Sequence, residues 1–333
     1  MFHSRFHFGS SLGRDLGLYL GLNSGFKNIT LIFLLAGLFL ATPALAAEVV
    51  GPKECQECHE REFDVWKTTP HFESYKKVHR EKKAKAIIKA LGEKSMKRNK
   101  QCVLCHYTTI KKKPKAGPSC ESCHGLASEW KEVHNDYGKN AAGERIKKAK
   151  EEDPAHRSKR LQDAEAAGMI ASRMVFDIAS SCMRCHGLSN PELSKETLDV
   201  MLKNDHPVEK DFEIIKYSQG KVRHRFVPPN VNENSKLEPA GLARLFIGGQ
   251  LATYAAAKSV EGKTDHAKFS ESLQYRQSAA KKNLQALEKS LPEIAAFLAK
   301  PDRANGHKVV AAMKDKDLTA AVAAMLPKEA DYK

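Results

Sequence analysis

Apolar residues recur at helical spacing over much of this chain, and the strict alternation of a half-buried strand is missing from it. Between Ser74 and Leu91 the apolar positions Tyr75, Val78, Ile87, Ile88 and Leu91 stand among lysines and predict a helix. Residues 139–168 predict a charged helical stretch on the surface. The last hundred residues, rich in Ala, Leu and Lys, predict helices near 239–258, 265–289, 291–299 and 306–325. The second of these carries Phe269, Leu273, Ala280, Leu284 and Leu287 as one apolar stripe. Between these zones the prolines of Asn204-Asp205-His206-Pro207 and Phe226-Val227-Pro228-Pro229-Asn230 predict extended chain. The run Lys111–Pro118 predicts a loop, and a short strand near Val222–Val227 is the single candidate for β structure. The expected fold class is mainly α with little regular strand.

One segment is apolar without period. Residues 29–41 (ITLIFLLAGLFLA) form an uncharged run of 13 residues after Lys27, short of the roughly 20 needed to span a bilayer. Thr42-Pro43-Ala44-Leu45-Ala46-Ala47 follows as a small-residue cleavage site. The expectation is a signal peptide over 1–46, cleaved after Ala46, and a periplasmic protein. A haem-bearing domain with its connector is expected over 47–235 and a helical C-terminal region over 236–333.

The cysteines change the picture most. There are eight, all in C-x-x-C pairs: Cys55/Cys58, Cys102/Cys105, Cys120/Cys123 and Cys182/Cys185. A histidine follows each pair at once: His59, His106, His124 and His186. C-x-x-C-H is the attachment signature of c-type haem. Two thiols add across the vinyl groups on one edge of a porphyrin, and the next residue brings its imidazole under the iron. Zinc sites and disulfide frameworks also use paired cysteines, but neither requires histidine at a fixed offset four times. Four covalently bound haem c groups are expected. The motifs occupy only 132 residues, Cys55–His186, too little chain for an ordinary side-chain core, so the porphyrins themselves are expected to be the core.

The formal net charge is +15 at pH 7. Such a balance suits nucleic acid, an anionic membrane surface or acidic redox partners; export argues against nucleic acid and leaves peripheral membrane association open. A solvated lysine-rich surface accounts for the same charge.

Cys55-Gln56-Glu57-Cys58-His59 with Val65-Trp66-Lys67-Thr68-Thr69-Pro70-His71, then Gln101-Cys102-Val103-Leu104-Cys105-His106, then Cys120-Glu121-Ser122-Cys123-His124-Gly125, resemble the tetrahaem cytochrome c-554 family. The resemblance covers roughly residues 50–190. It implies crossed distal ligands, with His71 serving the third haem and His134 the first. It also implies that the second haem can be five-coordinate. His79, on the helix after His71, reads as a helix-surface histidine or as a cap on the second haem, and His156, in the charged stretch, reads as a surface residue. For the fourth haem His206 and His224 compete. Pro207 favours His206 by fixing the local chain, while Arg223 and Arg225 make His224 read as a charged surface residue. The resemblance further implies an electron carrier between redox partner proteins, either other cytochromes or a multihaem oxidoreductase. The alternative is a reductase of a small nitrogen or sulfur oxide at an open haem.

Overall fold

The computed structural model describes residues 47–333; the expected signal peptide lies outside them. Short helices open the described chain: α1 (Pro52–Gln56), α2 (Glu60–Lys67), α3 (Pro70–Lys77) and α4 (Lys82–Ala90). Thr69 caps α3, its hydroxyl accepting from the Phe72 amide at 3.4 Å, and Pro70 fits the first turn, where no amide proton is needed. The continuous helix expected over Ser74–Leu91 is broken: Val78–Arg80 is a 3-10 turn and Glu81 is extended. Lys76, Lys77, Arg80, Lys82, Lys83 and Lys85 crowd this stretch, and like charges one turn apart destabilise a helix.

Asn99 starts α5 (Lys100–His106) by accepting from the amides of Gln101 and Cys102, both at 3.0 Å. Next come β1 (Thr108–Ile110) and β2 (Lys113–Ala116), an antiparallel pair in which Ile110 faces Lys113. The expected loop is therefore a hairpin. Its turn residues Lys111 and Lys112 sit at φ 48° and 63°, the primed-turn geometry usually signalled by Asn-Gly, which is why Lys-Lys reads as a loop. The strand expected near Val222–Val227 does not form.

The helices α6 (Cys120–His124), α7 (Lys131–His134) and α8 (Pro154–Ala166) follow. The charged stretch 139–168 is helical only in its last part. Gly138 and Gly143 sit at φ 81° and 79°, and Asp153 caps a helix that begins at Pro154. Then come α9 (Val175–His186), α10 (Lys195–Lys203), α11 (Ile214–Ser218), α12 (Pro239–Ser259), α13 (Ala267–Gln285), α14 (Glu293–Ala299), α15 (Arg303–Ala312) and α16 (Thr319–Val322). The helix expected over 306–325 is two, because the Asp317 carboxylate accepts from the Thr319 amide at 3.0 Å and starts α16 afresh. The fold is mainly α, with one two-stranded sheet among the described residues. No described helix is long and apolar enough to cross a membrane.

The side-chain core sits between α9 and α12–α16. Val175, Phe176 and Met183 of α9 share one cluster with Phe246, Leu251, Leu284 and Phe297. Gly248 lets α12 approach α9: a Cβ there would lie 2.8 Å from the Val175 side chain. Asp177, buried on α9, accepts from Arg303 Nε at 2.7 Å and pairs with His307 Nε2 at 2.6 Å. Ala47–Lys333 is one compact unit, and α9 carries the fourth C-x-x-C-H motif on one face and packs the C-terminal helices on another.

Candidate functional site

A cavity of about 1980 Å³ runs through the N-terminal two-thirds of the described chain. A pocket for one small molecule measures about 300–1,000 Å³, so this one has room for several large groups. All eight cysteines line it, and so do eight histidines: His59, His71, His106, His124, His134, His186, His206 and His224. His79, His156, His266 and His307 do not. His156 instead pairs with Glu152 at 2.8 Å. Among the described residues no group of three or more His, Cys, Asp or Glu side chains could hold a metal ion.

The eight histidines face one another in four pairs. Ring centroids are 6.2 Å apart for His59/His134, 6.2 Å for His106/His206, 6.2 Å for His124/His224 and 6.1 Å for His186/His71. An imidazole nitrogen lies about 2 Å from a metal it ligates, so two imidazoles on opposite sides of one metal have centroids about 6 Å apart. Each pair joins one motif histidine to one histidine from elsewhere in the chain.

The pairing corrects the expected ligand map. His71 lies opposite His186, not opposite His124. His206, favoured above for the fourth haem, lies opposite His106 of the second motif. The histidine opposite His124 is His224, its competitor for the fourth haem. His134 lies opposite His59. His224 sits in irregular chain held by Asn234, which lies ten residues on: its carbonyl accepts from the Arg225 amide at 2.8 Å and its amide donates to the Arg223 carbonyl at 2.6 Å. No local periodicity announces such a clamp.

Hydrogen bonds fix the tautomers. The Nδ1–H of His124 donates to Ile170 O at 2.9 Å, that of His206 to Pro207 O at 2.9 Å and that of His224 to Val222 O at 2.6 Å. The Nδ1–H of His186 donates to Glu209 Oε2 at 3.0 Å. A carbonyl or carboxylate can only accept, so Nε2 of these rings is left bare for a metal. In five of the eight rings burial, before any neighbouring charge, disfavours the charged form. It pushes His106 and His134 down to about 4 and lowers His71, His124 and His206 from the ordinary imidazole value. Arg223 and Arg225 also line the cavity, and their Nε atoms are buried without a protein acceptor among the described residues. Guanidinium groups so placed suit carboxylates brought by a ligand, as porphyrin propionates are. The donor set, the ring spacing and these unpartnered Nε–H groups all fit haem c.

Local structure places the motifs against one another. The Glu121 carboxylate, inside the third motif and buried, accepts from the amides of Val50 at 3.0 Å, Gly51 at 2.7 Å and Ala127 at 2.9 Å, and so fastens the first motif to the third. The helix α1 packs against α6, and α9 packs against both α6 and α5, so the motifs neighbour one another in the order first, third, fourth, second. Trp66 Nε1 donates to Pro118 O at 2.9 Å, and a Cβ on Gly117 would lie 1.9 Å from His71 O. The loop before the third motif and the turn bearing His71 are in backbone contact, which only glycine permits.

Residues 54–125 match the family model described as cytochrome c554 and c-prime. That segment contains the first three C-x-x-C-H motifs and His71; the fourth motif and the C-terminal helices lie beyond it. No curated protein and no solved structure matches the chain.

Proposed function

Because residues 54–125 are assigned to the cytochrome c554 family, whose members are c-type cytochromes of electron transfer with covalently bound haem c, we propose that the whole chain is an exported, periplasmic tetrahaem cytochrome passing electrons between redox partners. One observation carries this reading: four C-x-x-C-H histidines each face a second histidine across 6.1–6.2 Å inside one cavity.

Bound haem supplies a one-electron iron couple, and ligation by two histidines keeps its potential below that of Met/His ligation. The chain's residues do the rest. Each pair of thiols anchors one porphyrin edge. Each pair of imidazoles would hold a metal between them, and the Nδ1 hydrogen bonds of His124, His186, His206 and His224 would aim their Nε2 atoms at it. Arg223 and Arg225 offer charge to propionates. The motif order first–third–fourth–second supports one path through the cavity rather than four isolated centres.

The reductase reading needs a metal position left open to a small molecule. The placing of His206 6.2 Å across from His106 favours the carrier over that reading. Partners are proposed to be other cytochromes or a multihaem oxidoreductase with acidic docking faces, matched to a net charge of +15. The mass of the protein made with the full cytochrome c maturation machinery tests the proposal. Four haem additions per chain and a reductive titration taking four electrons support it. Fewer than four additions overturn it.

A further inference from the structure

His186 differs from the other three motif histidines in what its Nδ1 meets. His124 donates to a backbone carbonyl. His59 has Glu62 at 3.8 Å, beyond hydrogen-bond reach. His106 Nδ1 has no hydrogen-bond partner among the described residues, whereas His186 donates to the Glu209 carboxylate at 3.0 Å. The ring is also clamped flat. Phe212 stacks on it at 4.5 Å with the planes 19° apart, and Tyr217 stacks on Phe212 at 4.9 Å and 12°. The segment 209–217 therefore sets both the orientation of this imidazole and the charge behind it.

We propose that Glu209 is a tuning residue of the fourth haem: through the His186 Nδ1–H it makes this one ligand more basic and lowers the reduction potential of the fourth iron. This inference rests on the ligand pairing proposed above. A carboxylate accepting the Nδ1–H draws the proton toward itself and leaves more electron density on Nε2. A more basic nitrogen stabilises the ferric over the ferrous ion. A neutral carbonyl in the same place, as at His124, does this less, so the device separates the fourth centre from the third along one path. The C-terminal helices reach the fourth centre through Arg276, buried on α13, whose guanidinium approaches Gly187 O at 3.5 Å.

The test is a potentiometric titration of the loaded protein and of three variants. Glu209→Gln keeps the shape and removes the charge. Glu209→Asp keeps the charge at shorter reach. His71→Met replaces the other ligand of the same iron and marks which of the four steps belongs to it, since a Met/His pair raises that potential. The expected result is an upward shift, in Glu209→Gln, of the same step that His71→Met raises, with the other three unmoved and Glu209→Asp between wild type and Gln. Unmoved steps in Glu209→Gln, at full haem content, would overturn the tuning role. If His71→Met moves no step, or moves a step that Glu209→Gln leaves alone while shifting another, the ligand pairing fails instead.

Discussion

Two regions of one compact unit are held together by different means. Across α2 and α3 no side chain is buried by protein alone, and Phe63, Trp66 and His71 turn toward the cavity. In α12, twelve of 21 residues are buried, among them Phe246, Ile247 and Leu251. The second region has the close-packed interior of an ordinary helical domain. The first has its apolar faces directed at a space that the protein does not fill. Ordering a chain costs about 1–2 kcal/mol per residue in backbone entropy, and the short helices around the cavity offset little of it by burial. Their stability must come from what the cavity holds, as in small metal-dependent domains. α9 belongs to both regions, with Cys182, Cys185 and His186 on the cavity and Val175, Phe176 and Met183 in the core.

The sharpest way to break this contrast is to remove the cofactor. A chain with all eight cysteines changed to alanine should lose amide protection across residues 50–135 and keep it in α12–α15. Hydrogen exchange read by mass spectrometry measures this, and uniform protection along the chain would erase the contrast. The converse cut comes next. Ending the chain at residue 235 strips Val175, Phe176 and Met183 of their partners, so the fourth motif should fail to load and the product should aggregate. Peptide mapping of haem attachment reads the outcome; full loading of the fourth motif in soluble protein would show the cavity half to be independent. Within the packed half, Phe246→Ala should cost about 3–5 kcal/mol in a denaturant melt with the visible spectrum of the folded protein unchanged. The smallest effect is local. Asn234→Ala removes two hydrogen bonds beside His224, each worth about 0.5–1.5 kcal/mol. It should give a partial high-spin signal from one centre in four, and an unaltered spectrum would mean that Asn234 does not hold that ligand.

Legibility in the sequence followed the same divide. The motif cysteines and their histidines are adjacent in the chain, so a fixed spacing reveals them, and the apolar stripe Phe269–Leu287 reveals α13. Distal histidines are long-range partners. His71 meets His186, and His124 meets His224, separations over which no periodic signal operates. Arg223 and Arg225 made His224 look solvated, whereas in the fold these arginines line the cavity. Composition changes after residue 235, yet α9, well before it, packs one face on the helices that follow. The hairpin went unread because its left-handed turn is built from two lysines.

The central claim is that all four motif histidines have a histidine across from them, and spin quantitation of the fully loaded, oxidised protein by electron paramagnetic resonance tests it most directly. Two imidazoles on every iron predict four low-spin ferric centres per chain and no high-spin ferric signal. A high-spin signal of one centre per chain would contradict the pairing, and with it the reading of His206 as the residue that closes the second site.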